Sequence, residues 1–224
     1  MQTRQFGSLG RISALTLGGG GIGQVWGLTS PEEAIATVRE AVKAGITFLD
    51  VAPSYGNGEA ERVIGEAFGG CLPRGVRVST KCRVGTHVGR EVLPLLERSL
   101  EESLKRMKLE RVDLFLLHDM VVPDDALAGA HGVSRSLFIQ TVRPAFQRLV
   151  DQGRIGTWGI SGIGVPEAVL ETLDDDPIPT AVQAIANLLD SPGGLKRFAG
   201  SARPRDIIAS ASHRNVGVMG IRAV

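Results

Sequence analysis

The chain has 224 residues, 43% hydrophobic and 22% charged, enough apolar content to bury a sizeable core and too much for a disordered chain. With 25 Lys+Arg against 24 Asp+Glu the formal net charge is +1, so no global field gathers nucleic acid or an acidic membrane surface. Two cysteines, Cys71 and Cys82, exclude a disulfide scaffold. No apolar run approaches the ~20 residues of a bilayer span, and Met1-Gln2-Thr3-Arg4-Gln5 lacks the apolar stretch of a signal peptide. A cytoplasmic α/β enzyme with neither nucleic-acid nor membrane partners is expected.

Short apolar runs alternate with helical patterns along the chain. The predicted strands are residues 12–17, 46–51, 76–81, 112–117, 155–160, 180–185 and 217–221. Most are continuous rather than alternating, as in parallel strands covered on both faces. The first helix is the best punctuated: Ser30 as N-cap, Pro31 at the first helical position, Glu33 completing a capping box, and Gly45 as the stop. A second helix carries Val92, Leu95, Leu96, Ser99, Leu100, Ser103, Leu104 and Met107 on one stripe, and another carries Phe138, Val142, Ala145, Phe146, Leu149 and Val150. Two long loops, 119–135 and 188–205, are candidates for function.

Repeated strand–helix units leave an open doubly wound sheet or a (β/α)8 TIM barrel. A barrel averages ~250 residues, roughly 31 per unit, whereas seven strands are readable by Val224. Residues 1–224 are therefore expected to be one barrel-like domain whose last units are missing. The run Gly18-Gly19-Gly20-Gly21-Ile22-Gly23 satisfies G-x-G-x-x-G. A dinucleotide fingerprint needs its helix to open at the last glycine, yet the cap signals put that opening at Ser30–Pro31. The run is better read as a loop that lets backbone approach a ligand, with Gly20 a candidate cofactor contact. An open-sheet dehydrogenase would instead require a helix starting near Gly23.

The strongest signal is the set of reactive side chains at strand ends. Asp50 closes the second strand and Tyr55, the only tyrosine, follows five residues later; Lys81 closes the third and His118 the fourth. Each is expected at the carboxyl end of a parallel strand, where barrel enzymes build their sites. A free phenol is a sluggish acid near neutrality, and an ammonium beside its oxygen favours the phenolate. Asp50 would hold that ammonium in place, and His118 would orient a carbonyl oxygen. Singly, each residue is as well explained as a cap, a turn residue or a solvated charge; together, on successive strand ends, they point to proton transfer.

These motifs resemble those of the aldo-keto reductases. Phe48-Leu-Asp50-Val-Ala-Pro-Ser-Tyr55-Gly56 with Glu59-Ala-Glu61, Ser79-Thr-Lys81, Leu116-Leu-His118, Gly153-Arg-Ile-Gly-Thr-Trp-Gly159-Ile-Ser161 and Gln183 to Asn187 follow the family's order. The resemblance implies a barrel binding NADP(H) or NAD(H) and a small carbonyl or sugar-lactol substrate. Tyr55 would be the proton donor, Lys81 and Asp50 its tuning pair, and His118 the carbonyl orienter. Ser161 and Gln183 match positions that hold the nicotinamide carboxamide, Asp50 is shared with the cofactor side, and Trp26 lies in a loop that walls the substrate pocket. Many members have Asn after the fifth-strand Ser, where this chain has Gly162. That departure motivates an alternative, a cofactor-sensing or interaction subunit with little turnover. No metal site is expected, because His87, His118, His131 and His213 are dispersed and no C-x-x-C occurs. Lys196, Arg197, Arg203 and Arg205 read as a solvated basic face, and Cys82 as a buried thiol.

Overall fold

The computed structural model describes residues 1–223. Its strands are β1 (Thr3–Gln5), β2 (Arg11–Ser13), β3 (Leu17–Gly18), β4 (Phe48–Asp50), β5 (Arg77–Cys82), β6 (Val112–Val122), β7 (Gly132–Ser134), β8 (Ile155–Gly164), β9 (Ala181–Ile185) and β10 (Gly217–Ile221). The main helices are α1 (Pro31–Lys43), α2 (Glu59–Phe68), α3 (Val92–Met107), α4 (Arg143–Asp151), α5 (Pro166–Asp174) and α6 (Pro204–His213). The parallel strands run in the order β10-β9-β8-β6-β5-β4-β3, with β7 paired to the far end of β6. This is the curled α/β sheet of a barrel, with seven strands on its path.

Two apolar layers hold it. Outside the sheet, residues such as Phe115, Leu117, Trp158 and Ile160 pack against Leu96, Leu100, Phe146 and Leu149 of the helices. On the concave side, Phe48, Leu114, Leu116, Ala181 and Met219 surround Phe6 and Ile12, which the β1–β2 hairpin inserts as a plug. Both faces of the sheet are thus buried, and most of the strands read as continuous apolar runs for that reason.

The expected first strand, 12–17, is in fact two pieces. Arg11–Ser13 pairs antiparallel with Thr3–Gln5, and only Leu17–Gly18 joins the barrel beside β4. Ser13 ends the first piece by bonding sideways: its N–H donates to Thr47 Oγ1 at 2.8 Å, and its hydroxyl accepts from Thr47 N–H and donates to Leu15 O. The expected loop 119–135 also contains structure, because β6 continues to Val122 through register shifts around residues 117–121. Those shifts are a β-bulge, and past it β6 gains β7 as a neighbour. Helix α1 has the predicted capping box, and α3 buries most of the predicted stripe, with Leu95 and Ser99 half-buried at its edge. Before α4 the chain winds a π-helical turn, Phe138–Val142; Pro144 has no N–H to give the preceding turn.

Candidate active site

Strand alternation builds the site on top of the concave apolar layer. Phe48 points inward, and so does Asp50 two residues on; Leu114 and Leu116 are followed by His118, Gly159 by Ser161, and Ala181 by Gln183. Ser79 and Lys81 continue the same ring on β5. The apolar inner residues form the floor, and the polar ones stand above it at the carboxyl ends of the strands.

Lys81 is fully buried, and its ammonium has three donors to satisfy. They go to Asp50 Oδ2 at 2.9 Å, to the Val51 carbonyl at 2.9 Å and to Tyr55 Oη at 3.3 Å. Asp50 is held from two further sides, by the Ser79 hydroxyl at 2.6 Å and by Gln183 Nε2 at 2.9 Å. A buried ion pair is stable only when its remaining hydrogen-bonding capacity is met in this way. Because Tyr55 Oη accepts from the ammonium, its own O–H is left to point elsewhere, and the ring lines the open cavity. The Tyr55 loop is seated on the glycine run: a Cβ on Gly56 would collide with the Gly23 carbonyl, which fixes glycine at this left-handed position.

His118 meets Tyr55 edge to face, with ring centroids 6.1 Å apart. Burial pushes its imidazole down to about 3, helped by the positive charges of Lys81 and Arg83, so it is uncharged near neutrality. Ser161 donates to the Leu117 carbonyl at 2.9 Å, leaving its oxygen free to accept. Gly162 has no room for a side chain, since a Cβ would lie 2.6 Å from Val182 Cγ2 and 2.7 Å from the Gln183 carbonyl oxygen. The asparagine that the resemblance leads one to expect there would not fit this packing.

Asp50, Tyr55, His118, Ser161, Gln183, Gly20 and Trp26 all line one cavity of about 610 Å³, and Lys81 sits directly behind Tyr55. The glycine run winds a four-residue turn, Gly19–Ile22, and the main helix opens at Pro31. A Cβ on Gly20 would fall 2.4 Å from Trp26 Nε1, so the run makes room for the indole as well as for a ligand. The sequence reading missed Arg83, His131 and Arg222, which also face the cavity. Arg83 carried a usable signal, because it lies two residues beyond Lys81 and continues the same inward row. Arg203 and Arg205 lie at the surface, as a solvated face requires, but each is paired with carboxylates there, and Arg197 turns into the cavity. Burial pushes the Cys82 thiol up to about 11, as suits an inert cysteine.

Among known proteins, the chain is 31% identical to L-galactose dehydrogenase of Arabidopsis thaliana over 169 residues, covering 73% of this chain and 49% of that protein. It is 27% identical to D-threo-aldose 1-dehydrogenase of a Pseudomonas species, covering 93% of this chain and 68% of that one. The chain spans about half the length of the first curated relatives it matches. An aldo-keto reductase from Klebsiella pneumoniae, solved in complex with NADPH, has the same fold (TM-score 0.70, 24% identity, 99% of this chain and 67% of that one). A glycerol dehydrogenase from Gluconobacter oxydans superposes with TM-score 0.68 at 25% identity, covering 97% of this chain and 62% of that one. No helix among the described residues is long and apolar enough to cross a membrane. Residues 14–224 match the Aldo/keto reductase family, and the chain belongs to it.

Proposed function

We propose that this chain carries the reaction centre of an NAD(P)(H)-dependent oxidoreductase that interconverts a carbonyl compound and its alcohol, with Tyr55 handling the proton. The observation that carries the reading is the buried Lys81 ammonium, fixed by Asp50 and donating to the single phenol at 3.3 Å. The Klebsiella neighbour's NADPH supports a nicotinamide cofactor.

The residues present suit such a group. Arg197 and Arg222 line the cavity, and its one carboxylate, Asp50, is already bound by Lys81 and Gln183; it suits an anionic ligand. Ser161 Oγ can accept from a carboxamide N–H, and Gln183 presents the carbonyl end of its amide once Nε2 is committed to Asp50. A nicotinamide dinucleotide supplies hydride to the carbonyl carbon, or removes it from the alcohol.

In the reductive direction the π electrons of the carbonyl move onto its oxygen, which takes the proton from Tyr55 Oη. The phenolate left behind lies against the Lys81 ammonium, where its charge is stabilised without rearrangement. His118, uncharged, can offer a ring N–H to the same oxygen without competing for the proton. The names of the two plant and bacterial sugar dehydrogenases make an aldose lactol the natural alternative to a simple aldehyde.

The test is NADPH oxidation by the purified protein with aromatic aldehydes, and NAD(P) reduction with aldoses, each repeated with Lys81→Met. We expect turnover in one direction and a loss of about a hundredfold or more in kcat on removing the ammonium. Wild-type turnover that Lys81→Met leaves unchanged would remove the proposed role.

A further inference from the structure

We infer that Arg83 and His131 form an anion subsite beside the reaction centre, which selects carbonyl substrates that also carry a carboxylate. The inference rests on the reading of the site given above and specifies its substrate class.

The two residues come from different loops and are tied together. Arg83 Nη1 lies 3.0 Å from His131 Nδ1. A guanidinium has only donors, so the imidazole accepts at Nδ1 and carries its proton at Nε2. The pair therefore presents a second N–H beside the remaining guanidinium N–H groups. Both residues line the cavity that holds Tyr55 and His118.

Their backbone is built in from one place, the bulge that follows His118. Asp119 is fully buried and accepts from the Val84 and Gly85 amides, which fixes the segment just after Arg83. The Met120 N–H donates to the His131 carbonyl at 2.9 Å. The residues on either side of the bulge thus set His118, Arg83 and His131 relative to one another.

Arg83 is held in no ion pair by the protein, although the buried Asp119 feels the charges of both Arg83 and His131. No carboxylate lies within 4.0 Å of it among the described residues, as is also true of Arg197 and Arg222 at the same cavity; what sets Arg83 apart is its bond to His131. Asp119 directs its oxygens at the two amides, and Asp50 is committed to Lys81. Arg83 also contributes to holding His118 uncharged, so its field reaches the reacting group. Ser161 and Gln183 place the cofactor side on β8 and β9 in the proposed reading, whereas Arg83 and His131 flank β5 and β6, on the substrate side. An arginine with free N–H groups and an adjoining imidazole N–H matches a carboxylate, which arginine binds in forked geometry.

The experiment compares para- and meta-carboxybenzaldehyde with their methyl esters, which keep much of the shape and lose the charge; the ester is the more electron-withdrawing, so a preference for the acid runs against intrinsic carbonyl reactivity. Ratios of kcat/KM, acid over ester, are measured for wild type, Arg83→Gln and Arg83→Lys. Intrinsic tryptophan fluorescence, to which Trp26 at the cavity contributes, gives binding of the same compounds without turnover. We expect a wild-type preference for at least one acid of about tenfold or more, lost in Arg83→Gln through KM and partly restored in Arg83→Lys. Acid binding that depends on Arg83, with no turnover of any aldehyde, upholds the subsite and removes the oxidoreductase reading. Turnover with acid and ester ratios near one, or ratios that Arg83→Gln leaves unchanged, upholds the oxidoreductase and overturns the subsite. Absence of both binding and turnover overturns both.

Discussion

Lys81 is the residue on which the site turns, because it is a charge with no access to water. Removing it in Lys81→Met leaves Asp50 buried with only Ser79 and Gln183 to hold it, a change that costs about 3–5 kcal/mol. The double variant Asp50→Asn/Lys81→Met should regain much of that stability in urea titrations while staying inactive, separating the fold's need for the pair from the reaction's need for the ammonium. A second prediction concerns Gly20. The Cβ of Gly20→Ala falls 2.4 Å from Trp26 Nε1, so the indole must move; its fluorescence should shift and substrate KM rise, with urea midpoints little altered. Asp50 and His118 were legible in the sequence because each ends an apolar run, where a polar residue stands out; Lys81, which follows Ser79-Thr80, was legible from its place at the end of a predicted strand. His131 was not, since it lies in a polar loop that only the fold brings to the cavity; Arg83 could have been found from its place two residues beyond Lys81.

At the scale of elements, the bulge in β6 links the reaction centre to the loops above it. Asp119→Ala removes the acceptor for Val84 and Gly85, and hydrogen exchange at those two amides should quicken about tenfold or more. Unchanged protection there would mean that the loop is held by other contacts. The helices were read well: the capping box of α1 and the stripe of α3 follow from side-chain spacing alone. Strand ends were read less well. Apolar continuity could not show that Ser13 breaks the first strand by bonding to Thr47, nor that β6 runs on past the polar pair His118-Asp119. The pairing of β1 with β2 was invisible for a related reason: three-residue strands are too short for a period to register.

For the molecule as a whole, the same buried groups set the response to acid. His118 binds its proton at about 3 in the fold, against an ordinary value of 6.5. Its contribution to stability is complete above pH 6.5 and is lost as pH falls from 6.5 towards 3, amounting to roughly 5 kcal/mol. Asp119 acts in the opposite sense: burial raises its carboxyl, so its charge weighs on the fold at neutral pH and is relieved on acidification. We expect Tm to fall across this window, and to fall less steeply in His118→Gln. The β/α alternation was legible because most barrel strands are continuous apolar runs; the barrel itself was implied by the family resemblance. The plug of Phe6 and Ile12 was not, because it depends on a contact between the two ends of the sheet and the hairpin below them.

The most direct test of the account is pre-steady-state reduction of an aromatic aldehyde by the wild type and by Tyr55→Phe, with NADPH binding followed separately. The account predicts that nucleotide binding persists in the variant while the rate of the chemical step drops by about a hundredfold or more. A variant that reduces the aldehyde as fast as the wild type would contradict it.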